Sequence, residues 1–181
     1  METDIKRWLQ TNGEIFLRKA GIEKGQSILD FGCGTGNYAI PAAKIAGDNG
    51  KVYALDKDER ALSRVEPKAR VSGLKNIEIM NTAGELEVHL DDASVDVVLL
   101  YDVLHSMSIP EADDRKQLLN ELCRLMKPGG LLSVYPMHRD LQEVKEEVES
   151  TGFNLEKELD EAIISYAGEI GKARILSFRK K

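Results

Sequence analysis

The sequence predicts an α/β fold built on a mostly parallel sheet, and three observations support that class. From about residue 27 onward, strand and helix patterns alternate, as βαβ units require. Val95-Asp96-Val97-Val98-Leu99-Leu100 is almost unbroken in aliphatic residues, which marks a central strand covered on both faces. A glycine-rich turn follows the first strand and precedes a helix, and open α/β sheets hold ligands at such a place.

The elements follow in order. Ile5, Trp8 and Leu9, then Ile15, Phe16 and Ala20, have the spacing of one or two short amphipathic helices. These either cover one face of the sheet or close over a ligand as a lid. Residues 27–31 form the first strand, stopped by glycines. Residues 38–46 read as a helix, closed by Gly47-Asp48-Asn49-Gly50, and residues 51–55 as a second strand. A helix over about 59–71 stops at Gly73, and residues 77–80 make a short third strand.

After the central strand, Ser108 and Glu111 have capping-box spacing with Pro110 in the first turn of a helix. Leu118, Leu119, Leu122, Leu125 and Met126 form its buried stripe, and Lys127-Pro128-Gly129-Gly130 ends it. Residues 131–135 are a fifth strand. Residues 140–150 are a helix with Leu141, Val144 and Val148 on one face. Residues 153–165 and 174–178 read as strands with no helix-length segment between them, which predicts an antiparallel hairpin.

At 181 residues the chain has the length of one domain and can bury a core without disulfides or metals. Its 42% hydrophobic and 31% charged residues are a globular composition. The net charge of −6 offers no footprint for a phosphate backbone, so nucleic acid is not expected as a substrate. The first residues lack the apolar core of a signal peptide. No apolar run approaches the roughly 18 residues that span a bilayer, so membrane insertion is not expected. Two cysteines, Cys33 and Cys123, each within a patterned element, suit a reducing cytoplasm. His89, His105 and His138 have no paired ligand spacing, and no metal is expected.

The turn itself reads Asp30-Phe31-Gly32-Cys33-Gly34-Thr35-Gly36. Glycines there let a ligand approach the main chain closely. Two cofactors compete for it. Gly34, Gly36 and Ala39 satisfy the dinucleotide pattern, and Asp56 lies 20 residues beyond Gly36, where a ribose-binding acid belongs. That pattern leaves Asp30 unexplained. A carboxylate at the strand end repels a pyrophosphate and attracts a ligand carrying an ammonium and a sulfonium, such as S-adenosylmethionine. The turn also lacks the Gly-Lys-Ser/Thr ending of a P-loop.

The stretch Ile28-Leu29-Asp30-Phe31-Gly32-Cys33-Gly34-Thr35-Gly36 resembles motif I of the class I S-adenosylmethionine-dependent methyltransferases. More narrowly, the chain is similar to the small-molecule "methyltransferase type 11" and ubiquinone-biosynthesis-like group. Ala54-Leu55-Asp56, residues 95–105 and Leu125-Met126-Lys127-Pro128-Gly129-Gly130-Leu131 resemble its later motifs, so the likeness spans about residues 22–136. The resemblance implies a Rossmann-like open seven-stranded sheet in the order 3-2-1-4-5-7-6, with strand 7 antiparallel and helices on both faces. It implies a methyltransferase domain over residues 22–181, preceded by an N-terminal helical cap over residues 1–21.

Carried over by position, Gly32, Cys33, Gly34 and Gly36 belong to the turn around the methionine moiety, and Asp30 supports its ammonium. Asp56 would hold the ribose hydroxyls, Lys57 would border the adenine, and Leu100 or Tyr101 would contact the methionine. The group usually has an acid followed by alanine after strand three; here the pair is Thr82-Ala83, so that adenine contact is either weakened or supplied by Asn81 or Glu85.

Transfer of a methyl from a sulfonium needs alignment and exclusion of water more than it needs a base. A base serves only an acceptor that must lose a proton. The candidates at the sheet's carboxyl edge are His105, Asp102 and His138, with Tyr101 and Tyr135 beside them; an imidazole titrates near neutral pH, which favours His105. Acceptor recognition is expected from the N-terminal segment, with Trp8 and Phe16 closing over the site, from residues 102–110 and from residues 136–140. The readings are therefore methyl transfer from S-adenosylmethionine to a small-molecule acceptor, a nicotinamide-dependent oxidoreductase, or a non-catalytic S-adenosylmethionine-binding module.

Overall fold

The computed structural model describes residues 3–105, 108–165 and 167–181. Seven strands form one sheet: β1 (Ser27–Phe31), β2 (Lys51–Asp56), β3 (Ile77–Asn81), β4 (Val95–Tyr101), β5 (Met126–Tyr135), β6 (Phe153–Ile164) and β7 (Ile170–Lys180). Their spatial order is β3-β2-β1-β4-β5-β7-β6, and β7 alone runs antiparallel to β5. This is the order the resemblance implied. The turn from α/β units to a terminal hairpin follows from the missing crossover helix between β6 and β7.

Strand alternation sorts the core into two layers. Ile28, Val97, Leu99 and Tyr101 face one way, packing with Phe16, Leu17 and Ala42 of α2 (Gly13–Ala20) and α3 (Ala39–Ala46). Leu29, Phe31, Val98 and Leu100 face the other, packing with Leu118, Leu119 and Leu122 of α6 (Ala112–Leu125) and Val144 and Val148 of α7 (Leu141–Glu149). β4 is the centre, with both faces covered, which is why its sequence is aliphatic on consecutive residues.

Four expectations change in detail. The helix over residues 59–71 is two, α4 (Glu59–Leu62) and α5 (Val65–Val71), because Pro67 has no N–H to return to Ser63. The Ser108–Glu111 capping box does not form. α6 begins at Ala112 with Glu111 as its unbonded cap, and the Ser108 hydroxyl instead meets His105. β5 starts at Met126, five residues early: Met126 pairs with Val95 across a bulge, and the Lys127 ammonium bonds Asp96 Oδ1 at 2.7 Å. The N-terminal segment is α1 (Asp4–Arg7) running through a π-helical turn, Trp8–Asn12, into α2. There the Gly13 N–H reaches back five residues to Trp8 O, turning the Trp8 ring inward.

Candidate functional site

A cavity of about 370 Å³ opens at the carboxyl ends of β1, β2, β4 and β5, the ligand edge of an open α/β sheet. Its first half is the turn after β1. Gly32 has φ +76°, and a Cβ there would stand 2.6 Å from Val103 Cγ2, so only glycine fits. The turn is laced to the end of β2: the Gly32 and Cys33 N–H groups donate to Leu55 O at 2.8 and 2.9 Å, and Gly34 N–H donates to Asp56 Oδ2 at 2.7 Å. Asp56 Oδ1 accepts from Asp58 N–H at 2.9 Å. A carboxylate has about four acceptor positions, so Asp56 keeps capacity for two more donors.

The far side of the turn is held by three other elements. Lys68 of α5 donates to Thr35 O at 2.6 Å, to Thr35 Oγ1 at 3.0 Å and to Asn37 Oδ1 at 3.3 Å. Trp8 Nε1 donates to Asn37 O at 2.8 Å. The Tyr38 hydroxyl donates to Ile164 O at 2.7 Å, tying the turn to the terminal hairpin.

Behind the turn lies Asp30, 2% exposed. It accepts a bond from the Ala39 N–H, and its Oδ2 is buried with no hydrogen-bond partner among the described residues. Burial, reinforced by the nearby Asp56 charge, pushes its carboxyl up to about 7. Orphaned buried carboxylate oxygens are costly unless a donor or cation arrives. The ammonium of S-adenosylmethionine fits that need, with Asp56 free to receive ribose hydroxyls. A pyrophosphate would add a second anion to an unpaired one, so the residues present do not fit a dinucleotide.

The second half of the cavity is built after β4 and β5. Asp102 takes φ +60°, and its N–H donates to Tyr135 O at 3.2 Å. Burial raises its carboxyl, opposed by His105 and then His138. His105 Nε2 lies 3.1 Å from Ser108 Oγ and 3.4 Å from Asp102 Oδ1. Burial and the Asp102 charge raise the Tyr135 hydroxyl. Val103, Ile109, Ile164 and Ser165 complete the wall.

Of the residues read from sequence, Gly32, Cys33, Gly34, Asp56, Lys57, Thr82, Tyr101, Asp102 and His105 line the cavity, and Glu85 does too. Asn81 is engaged in its own turn, accepting from Ala83 N–H at 2.8 Å. Neither Asp30 nor Gly36 lines the cavity; a Cβ on Gly36 would meet Val65 at 3.3 Å. Ala83, at φ +51°, is also off the wall, although Thr82 and Gly84 beside it line it. Leu100 is a correction: it is fully buried against α6, because strand alternation turns it away from the Tyr101 face. His138 lies outside the lining and reaches the site through its charge on Asp102. The Cys33 thiol is raised far above its ordinary value by burial and by the Asp30 and Asp56 charges, which suits a packing role and not a nucleophile.

Of the two readings of the N-terminal segment, the positions of Trp8 and Phe16 agree with a cover on the sheet and not with a lid. Neither Trp8 nor Phe16 lines the cavity; both are buried beneath it, with Trp8 5.5 Å from Tyr38, Phe16 5.8 Å from Tyr101, and Tyr38 4.7 Å from Tyr101 between ring centroids. Their apolar bodies gain more from packing on the sheet than from exposure over a polar mouth. The hairpin supplies wall residues instead, Ile164 and Ser165, which had no local signal in the sequence. Tyr135 lines the site, whereas residues 136–140 do not. Among the described residues no His, Cys, Asp or Glu cluster is arranged to hold a metal.

Residues 22–178 match a family model described as a methyltransferase domain. Over 115 residues the chain is 31% identical to demethylmenaquinone methyltransferase of Geobacillus stearothermophilus, covering 64% of this chain and 47% of that protein. The Bacillus subtilis demethylmenaquinone methyltransferase is 32% identical over 114 residues, 63% of this chain and 46% of that one. The chain thus spans about half the length of the curated relatives it matches. A solved S-adenosylmethionine-dependent methyltransferase from Aquifex aeolicus superposes with a TM-score of 0.75 at 25% identity, over 97% of this chain and 93% of that one.

Proposed function

The chain belongs to the methyltransferase-domain family, and from that premise we propose that it transfers a methyl group from S-adenosylmethionine to a small-molecule acceptor in the cytoplasm. The observation that supports the donor most directly is the unpartnered carboxylate oxygen of Asp30 beneath the glycine turn, with Asp56 at the neighbouring strand end. When bound, the donor supplies an activated methyl on a sulfonium whose departure needs no acid. Asp30 holds the ammonium from behind Gly32 and Gly34, Asp56 the ribose hydroxyls, and Lys57, Thr82 and Glu85 border the adenine. Gly36 sets the path of the turn into α3, and Tyr101 closes the methionine side.

The half of the cavity at Asp102, His105, Ser108 and Tyr135 receives the acceptor. Here the chain's own work is alignment and exclusion of water, worth up to roughly 7–11 kcal/mol in well-oriented reactions. His105, beside Asp102, takes up a proton where the acceptor must release one, and His138 tunes the Asp102 charge. The described residues of the N-terminal segment, 3–21, act as a brace beneath the glycine turn.

Calorimetry tests the donor assignment: S-adenosylhomocysteine should bind at micromolar concentration, and NAD and NADP far more weakly. A dinucleotide that bound more tightly would overturn the reading. An acceptor screen that follows release of S-adenosylhomocysteine then separates a transferase from a non-catalytic binder.

A further inference from the structure

Two buried carboxylate oxygens at this edge of the sheet lack hydrogen-bond partners among the described residues, Asp30 Oδ2 and Asp102 Oδ1. The first belongs to Asp30, which lies in β1 next to the glycine turn and does not itself line the cavity. The second lies at the other half of the cavity, 3.4 Å from His105 Nε2. We infer that the acceptor presents a hydrogen-bond-donating nitrogen or oxygen, an amine or a hydroxyl on an apolar body, which Asp102 anchors, and that carboxylate and phosphate acceptors are rejected. This rests on the division of the cavity into donor and acceptor halves proposed above.

Four observations carry it. A buried acceptor oxygen without a donor is a standing cost that a ligand N–H or O–H removes, and a ligand anion deepens. Asp102 is also held at φ +60°, a backbone region that side-chain-bearing residues other than Asn and Asp rarely enter, directly where β4 delivers the chain to the cavity. Next, apart from the His105 imidazole, the charge at this wall is one-sided. Among the described residues Lys57 is the one lysine or arginine lining the cavity, and it follows β2. β1 lies between β2 and β4, so two strand spacings, roughly 10 Å, separate that cation from the Asp102 strand. An acidic acceptor would meet Asp102 with no lysine or arginine of the lining beside it. Finally, Val103, Ile109 and Ile164 give the same half an apolar wall, which sets the body of the acceptor apart from its polar head.

The experiment uses the full chain saturated with S-adenosylhomocysteine, so that the donor half is filled and small probes are left the acceptor half. Benzylamine, benzyl alcohol and benzoate share one apolar ring and differ in the head group. Their dissociation constants are measured by chemical-shift titration. Benzylamine and benzyl alcohol should bind, with benzoate at least tenfold weaker. Asp102→Asn should weaken benzylamine at least tenfold and abolish its advantage over benzoate. Asparagine tolerates positive φ, so the strand end should keep its path, and unchanged S-adenosylhomocysteine affinity serves as the folding control. Benzoate binding as tightly as benzylamine, failure of both donor-bearing probes to bind, or an Asp102→Asn variant that keeps the discrimination would each overturn the acceptor class while leaving the donor assignment intact. Failure of S-adenosylhomocysteine itself to bind would overturn the proposed function as well.

Discussion

Replacing Asp30 by asparagine should make the ligand-free protein more stable and a poorer binder at the same time. The substitution keeps the shape and removes the charge. Burial and Asp56 lift the Asp30 carboxyl from its ordinary 3.8 to about 7. That displacement is worth about 4 kcal/mol of penalty on the ionised folded state, at about 1.4 kcal/mol for each tenfold step. The sign follows from proton binding. Between pH 3.8 and about 7 the folded state holds a proton that the unfolded state has released, so this group costs stability progressively as pH rises through that window, and the loss is complete above it.

Asparagine escapes the penalty but leaves an amide without a partner, a cost of about 1–3 kcal/mol. The expected net effect is therefore about 1–3 kcal/mol of stabilisation at pH 8, several degrees in Tm for a chain of this size, falling to none or a loss at pH 4. Urea unfolding of both proteins at pH 4, 6 and 8, without ligand, measures the difference. The same variant should bind S-adenosylhomocysteine roughly tenfold to a hundredfold more weakly in calorimetry, the worth of one hydrogen bond to a charged group. A variant less stable than the parent at pH 8, or a stability difference flat with pH, would refute the account of Asp30 as an unpaired carboxylate.

Asp56→Ala removes the acceptor of both the Gly34 and Asp58 N–H groups as well as the proposed ribose contact. Calorimetry should find S-adenosylhomocysteine binding weakened by roughly a hundredfold or more, given about 1.5–3 kcal/mol for each bond to a charged group. Gly32→Ala places a methyl 2.6 Å from Val103 at positive φ, so thermal unfolding should report a loss of about 1–3 kcal/mol together with lost donor binding. Pairing it with Val103→Ala should recover part of the stability, because the clash is with that side chain. Trp8→Phe keeps most of the buried ring and removes the bond to Asn37 O, leaving that carbonyl short of a donor. A loss of about 1 kcal/mol is expected in urea unfolding, with a several-fold loss of S-adenosylhomocysteine affinity. Unchanged affinity would return the N-terminal segment to a purely covering role.

The fold was legible in the sequence because its signals are local. The aliphatic run of β4, the strand–turn–helix at Gly32, Gly34 and Gly36, and the amphipathic stripe of α6 each depend on neighbours within a few residues. Most of the proposed donor half is legible for the same reason: Asp30, the glycines and Asp56 lie at strand ends whose positions the pattern gives. The sheet order came from the family resemblance, since nothing local states which strand lies beside which.

What only the tertiary structure decided depends on long-range packing. The π turn at Trp8 could not be read from amphipathic spacing, and it makes the aromatic residues a brace under the donor turn instead of a lid above it. Hairpin register, set over the whole of β6 and β7, brings Ile164 and Ser165 to a cavity whose glycine turn lies more than a hundred residues earlier in the chain. Strand alternation turns Leu100 into the core while Tyr101 meets the site. The oxygens of Asp30 and Asp102 without a partner among the described residues are the clearest case. A sequence names a carboxylate, but whether each of its oxygens has a donor depends on every element packed around it.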